Sequence, residues 1–161
     1  MIRSQLFGCL VAGLATAGAI FAWHGEAGAA GENSGSKVKA TASATKIDDQ
    51  GKQTVTITLD IAKGWHLYAN PVNHNKETLN PAATKLTITA KMKPRVEAKY
   101  PAGKTHVDKD DRYDIYEGTV KLQAIVTRAP GDTSPLEITI AVQACDTSVC
   151  LAPGKVKLTV K

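Results

Sequence analysis

A chain of 161 residues has room for one domain once any processed segment is set aside. Its formal net charge of +5 comes from cations spaced singly, such as Lys85, Lys91, Lys93, Lys121, Lys155 and Lys157, and aromatics make up only 5% of residues. Scattered cations with few stacking rings read as solvated strand faces and exclude a nucleic-acid surface.

Met1 to Gln5 carries one positive charge, Arg3, and Leu6 to Trp23 is apolar or small throughout. Ala27-Gly28-Ala29-Ala30 then supplies small residues of the kind a signal peptidase accepts, so residues 1–30 read as a secretory signal peptide. The apolar run is long for such a peptide, which leaves an uncleaved membrane anchor as the alternative. Cys9 precedes most of that run, the reverse of the order a lipid-attachment cysteine needs. Removing residues 1–30 takes away Arg3 and Glu26, so the net charge stays at +5, and it leaves Cys145 and Cys150 as the cysteines. An exported, oxidising location and an even count together point to one disulfide.

Residues 31–37 are Gly/Ser/Asn-rich and are expected to be a flexible leader. From Val38 onward the dominant signal has period two. Val55, Ile57, Leu59 and Ile61 alternate with Thr54, Thr56, Thr58 and Asp60, and the pattern recurs at Leu86, Ile88 and Ala90 and at Val120, Leu122 and Ala124. It returns at Leu136, Ile138, Ile140 and Val142, and last at Val156, Leu158 and Val160. Alternation places one face on a core and one in water, as in antiparallel strands. No sustained helical period follows residue 30. About seven or eight short strands over residues 38–161 predict an all-β fold, an immunoglobulin-like antiparallel β-sandwich. Val72 to Ala83 and the charge-dense Tyr100 to Asp114 are expected to be long loops, where binding residues concentrate on such scaffolds.

Two stretches could bear chemistry. Cys145 ends one alternating run, and Pro153-Gly154 leads into the last, so a Cys145–Cys150 bridge would close a tight loop between neighbouring strands. In the chain-entropy model a loop of about six residues contributes only roughly 2 kcal/mol, against about 4.7 for a hundred-residue loop. A short, exposed bridge is also one that exchanges readily. Spacing alone leaves a hairpin staple and a redox centre both open. In Gly64-Trp65-His66-Leu67-Tyr68, strand geometry puts Trp65 and Leu67 on the core face, with His66 and Tyr68 projecting from the other. His66, His74 and His106 show no metal-ligand spacing, and a disulfide ligates nothing, so neither metal nor cofactor is expected. The Asp108-Lys109-Asp110-Asp111 run lacks the spacing and glycine of a calcium loop.

GWHLYANP (Gly64 to Pro71), YPAGK (Tyr100 to Lys104), YEGTV (Tyr116 to Val120) and QACDTSVCLAP (Gln143 to Pro153), in that order, resemble the N-terminal periplasmic domain of DsbD, the thiol:disulfide interchange protein of bacterial envelopes. The resemblance covers about Lys37 to Lys161. It implies an immunoglobulin-like fold and a redox role for Cys145 and Cys150, in which Cys150 forms the mixed disulfide with partners and Cys145 resolves it. The family's two aromatics beside the disulfide correspond to His66 and Tyr68. Its implied partners are a membrane thiol-transporting or thioredoxin-like electron donor and disulfide-containing periplasmic acceptors.

Three departures are notable. The sequence has no membrane or thioredoxin-like part after this domain, so the donor is expected to be a separate protein. The family's aromatic cap loop corresponds to Val107 to Asp114, which offers only Tyr113. His66 replaces a tyrosine, and the inter-cysteine loop is slightly shorter. The expected function is therefore an exported module relaying reducing equivalents by dithiol/disulfide exchange, in the manner of a protein-disulfide reductase. The alternative is a β-sandwich binding or adaptor domain with a purely structural disulfide.

Overall fold

The structure is a computed structural model that describes residues 32–75 and 81–161; the expected signal peptide lies outside them. After a 3-10 turn at Ser34–Lys37, the chain runs through β1 (Val38–Ala44), β2 (Lys52–Ile61), β3 (His66–Tyr68) and β4 (Lys85–Thr89). It continues through β5 (Arg95–Lys99), β6 (Lys104–Asp108), β7 (Asp111–Tyr116) and β8 (Thr119–Thr127). β9 (Leu136–Val142), β10 (Ala144–Cys145) and β11 (Gly154–Val160) complete it. The expected immunoglobulin-like all-β class holds, with every ladder antiparallel.

Among the described residues the strands form three sheets, in the orders β1-β2-β8-β5, β11-β9-β4 and β10-β3-β7-β6. The period-two pattern explains the first two. Val55, Ile57 and Leu59 are completely buried while Thr54, Thr56 and Thr58 are not, and Leu122, Ala124 and Val126 repeat the arrangement on β8. Leu86 and Ile88 of β4 and Leu136, Ile138 and Ile140 of β9 join these residues in one apolar cluster. Burying each such side chain contributes about 1.5–3 kcal/mol, so the two inner faces supply most of the fold's driving force.

The third sheet lies on that core by one face. Leu67, Ala69, Tyr116 and Ala144 belong to the same cluster. β9 passes across Gln143 into β10, so a strand of the apolar core leads directly to Cys145. Tyr116 is 3% exposed; its hydroxyl accepts the Asn70 N–H at 3.2 Å and donates to the Pro101 carbonyl at 2.9 Å, tying the chain after β3 to the segment before β6.

Two expectations are corrected. Tyr100 to Asp114 is not a long loop, because β6 and most of β7 form a hairpin there, with Asp108 paired to Asp111. Residues 34–37 are not a flexible leader, because they form the 3-10 turn and Ser34 is fully buried. In the other expected loop, residues 72–75 are laced to β7: Asn73 donates to Asp114 at 2.6 Å, and Asn75 donates to the Asp110 carbonyl and accepts the Arg112 N–H, both at 2.8 Å.

Candidate functional site

Cys145 and Cys150 are joined by a disulfide with an S–S distance of 2.03 Å and face each other as an isolated antiparallel bridge. Asp146 shapes the turn between them. Its carboxylate accepts the N–H groups of Ser148 (2.7 Å) and Val149 (2.8 Å), and its own N–H donates to the Val149 carbonyl (2.9 Å). The same two N–H groups hold the Asp146 carboxyl below the usual carboxylate range, helped by the Lys37 ammonium and, at acid pH where its ring is protonated, by His66. Beyond Cys150, the Leu151 N–H donates to the Ala144 carbonyl at 2.9 Å, closing the loop at its base.

The two cysteines differ in environment. Cys145 is 2% exposed, at the end of a strand whose partner residue across the ladder is His66. Cys150 is exposed, and beside it Val149 is 52% exposed, a large apolar side chain left in water. Tyr68 reaches both sulfurs, its hydroxyl lying 3.8 Å from Cys145 Sγ and 4.0 Å from Cys150 Sγ. Disulfide sulfurs carry no hydrogen, so the hydroxyl is the donor in either contact. Burial raises its pKa, which keeps it protonated and able to donate.

The face opposite Leu67 holds a cluster of four rings. His66 stacks on His106, with centroids 5.4 Å apart and an interplanar angle of 26°, and meets Tyr68 edge-on at 6.2 Å. Tyr113 packs 5.5 Å from Tyr68 and 5.2 Å from His106, its partner across the β6–β7 hairpin. His66 is 7% exposed and its Nε2 is buried without a hydrogen-bond partner. Burial pushes its pKa down and the nearby His106 adds to this, against the opposing pull of Glu117 and Asp146. A cleft of about 460 Å³ opens beside the loop, lined in part by Trp65, His66, His106, Glu117, Asp146 and Thr147.

All five residues named from the sequence, His66, Tyr68, Tyr113, Cys145 and Cys150, therefore meet in one constellation. Leu67 is fully buried and Trp65 packs partly on the core, as strand alternation requires. Sequence reading missed His106 as a member of the ring cluster, because the hairpin that aims it beside Tyr113 was read as loop. It also missed Asp146, whose place after a strand and before Thr-Ser is the pattern of an Asx turn. Among the described residues, no group of three or more His, Cys, Asp or Glu is arranged to hold a metal ion.

The sequence profile of the family described as thiol:disulfide interchange protein DsbD, N-terminal, matches residues 36–161. Among solved structures, the N-terminal periplasmic domain of ScsB from Proteus mirabilis is similar in fold, with a TM-score of 0.58 and 16% identity over 76% of this chain. The alignment spans 45% of that chain, less than half its length. The reduced N-terminal domain of DsbD from Neisseria meningitidis aligns with a TM-score of 0.45 and 17% identity, covering 77% of this chain and 83% of that one. The complex between the DsbD N-terminal and PilB N-terminal domains from the same organism gives 0.42 and 15%, covering 74% and 80%. A search of curated proteins found no match. No helix among the described residues is long and apolar enough to cross a membrane.

Proposed function

The chain belongs to the family of N-terminal domains of the thiol:disulfide interchange protein DsbD, and from that premise we propose that it is an exported redox module that relays reducing equivalents through Cys145 and Cys150. The observation that supports this reading is the asymmetry of the two cysteines, Cys150 exposed and Cys145 buried, with one tyrosine hydroxyl in reach of both sulfurs. A structural staple has no need of that asymmetry, whereas an exchange centre needs one sulfur within reach of a partner.

Loading begins when a donor thiolate attacks Cys150 Sγ along the disulfide axis. A donor–Cys150 disulfide forms, the Cys145–Cys150 bond breaks, and Cys145 leaves as a thiolate. A buried thiolate is costly unless hydrogen-bonded, and the Tyr68 hydroxyl is the donor at hand until Cys145 takes a proton. A second donor thiolate then attacks the donor sulfur of the mixed disulfide. The donor leaves oxidised, and Cys150 is released as a thiolate. Delivery reverses the sequence. The Cys150 thiolate attacks an acceptor disulfide, and Cys145, deprotonated, attacks Cys150 Sγ and expels the acceptor's second thiolate. Two electrons and two protons pass in each half-cycle. The donor is a dithiol protein of the membrane thiol-transporting or thioredoxin-like class, the acceptors are envelope proteins with accessible disulfides, and the site is periplasmic.

Trapping tests the roles. With Cys145→Ala, covalent complexes should accumulate on Cys150 when the protein is expressed with its own leader in a bacterial envelope, and a reductant should dissolve them. Complexes forming only on Cys145 in the Cys150→Ala variant would reverse the assignment. If neither variant traps a partner, the adaptor reading with a structural disulfide takes its place.

A further inference from the structure

Ser34 precedes the first strand, in sequence with the composition of a linker and ahead of the residues matched to the family, yet it is fully buried. Its hydroxyl accepts the Ala144 N–H at 2.8 Å and donates to the Ala152 carbonyl at 2.8 Å, with the Leu151 carbonyl a more distant 3.4 Å away. Its own N–H donates to the same Ala152 carbonyl at 2.9 Å. Ala144 is the residue before Cys145 and Ala152 lies two residues after Cys150. One side chain thus joins the two chain segments that bear the cysteines.

The turn around Ser34 is itself fixed. Asn33 Oδ1 accepts the Gly35 N–H at 2.9 Å, and the Lys37 carbonyl accepts the Ala62 N–H at 2.9 Å. The Lys37 ammonium lies 4.6 Å over the Trp65 ring and 2.6 Å from Glu32. Gly35 and Gly154 approach so closely that a Cβ on Gly154 would collide with the Gly35 nitrogen.

The two cysteines are not held equally by the sheet. Cys145 is in β10 and paired to β3, but Cys150 to Pro153 belong to no strand. Once the S–S bond opens, what keeps Cys150 opposite Cys145 is the loop's own hydrogen bonds, Leu151 N–H to the Ala144 carbonyl among them, the reach of the Tyr68 hydroxyl to both sulfurs, and the bonds to Ser34. We propose that Ser34 is a positioning residue, and that its turn is a clasp which sets the redox equilibrium of the Cys145–Cys150 pair. By holding the dithiol in the geometry of the disulfide, the clasp raises the effective concentration of one thiol at the other. That favours the oxidised form and makes the dithiol a stronger reductant than the loop alone would be. Without it, the reduced loop relaxes while the oxidised loop cannot, so the oxidised form loses more. This inference rests on the redox reading of the disulfide given above.

The test is equilibrium titration of the purified protein with reduced and oxidised glutathione, paired with thermal unfolding of both redox forms. Losing one buried hydrogen-bonded bridge should lower the equilibrium constant for disulfide formation in Ser34→Ala by between about threefold and tenfold, tenfold being about 30 mV. The melting temperature should fall more in the oxidised than in the reduced form. Asn33→Ala, which changes an exposed side chain and removes only the Gly35 bond, should shift the constant in the same direction by less. Ser34→Thr, which keeps the hydroxyl, should return the constant toward the parent value. A constant unchanged within twofold in Ser34→Ala, or, where that variant does not fold, no shift in Asn33→Ala beyond the error of the titration, or an equal loss of melting temperature in both redox forms, overturns the clasp. A parent disulfide that does not exchange with glutathione at all overturns the redox reading and the clasp together, so the parent titration separates the two failures.

Discussion

His66 stands where strand alternation aims a side chain at the disulfide face, but its ring is buried and its Nε2 has no hydrogen-bond partner. A charged imidazolium is disfavoured there, first by burial and then by the neighbouring His106, so its folded-state pKa lies below the ordinary value of about 6.5. The unfolded chain therefore takes up this proton at higher pH than the folded protein does. The stability contributed by neutral His66 is complete above about pH 6.5 and is lost as the pH falls from there through the depressed folded value. Urea unfolding midpoints should accordingly fall between pH 7.5 and pH 5.5, and fall less in His66→Tyr, whose ring does not titrate in that range. Parallel pH profiles for the two proteins would mean that the ring pair accepts the charge without strain. At neutral pH the uncharged form dominates, so His66 lends the exchange site a ring and a nitrogen but no net charge.

The β6–β7 hairpin is the element that most changes the picture of the site. It brings His106 and Tyr113 onto His66 and Tyr68, and it depends on a close approach that only glycine allows. A Cβ on Gly103 would sit 2.6 Å from the Ala69 Cβ and 2.8 Å from the Asp114 Cβ. Neither neighbour is the flexible end of a long side chain, so Gly103→Ala must push the start of β6 away from β7 and from the chain that follows β3. Overpacking of this kind costs about 1–3 kcal/mol. The variant should lose that much in urea unfolding and should expose the ring cluster, seen as a change in tyrosine near-ultraviolet dichroism. Unchanged stability and dichroism would show that the hairpin has room to shift. The same element marks where sequence reading stops. β2, β4, β8, β9 and β11 were legible because residues such as Val55, Ile57 and Leu59 bury one face against water on the other, and period two records that directly; β5, whose residues are mostly exposed, left no such pattern. Short of Ile115 the hairpin buries little, its turn residue Lys109 adopts φ +54° without being a glycine, and its sequence is dense in charge. The forces that hold it, Asn73 and Asn75 bonding to β7 and rings meeting across a ladder, are long-range and leave no local periodicity. Ser34 was hidden for the same reason: its partners lie more than a hundred residues away.

At the scale of the whole molecule, the apolar cluster and the disulfide are largely separate. The cluster is built mainly from β2, β4, β8 and β9, and Ala144 is the last residue before the cysteine loop to belong to it. The loop between the cysteines is short, with a sequence separation of 5, so opening it restores little entropy to the unfolded chain, roughly 2 kcal/mol in the loop model. A domain of ordinary stability, about 5–15 kcal/mol, survives that loss. Reduction should therefore leave a folded protein. Its far-ultraviolet dichroism should match that of the oxidised form, and its urea transition should stay cooperative with the same slope, shifted by no more than about 2 kcal/mol, because the surface exposed on unfolding is unchanged. A relay module has to remain folded in both redox states, since it meets its donor in one and its acceptor in the other. If the reduced chain instead lost its cooperative transition, the bridge would be a staple after all, and the exposed Cys150 would have no exchange to perform.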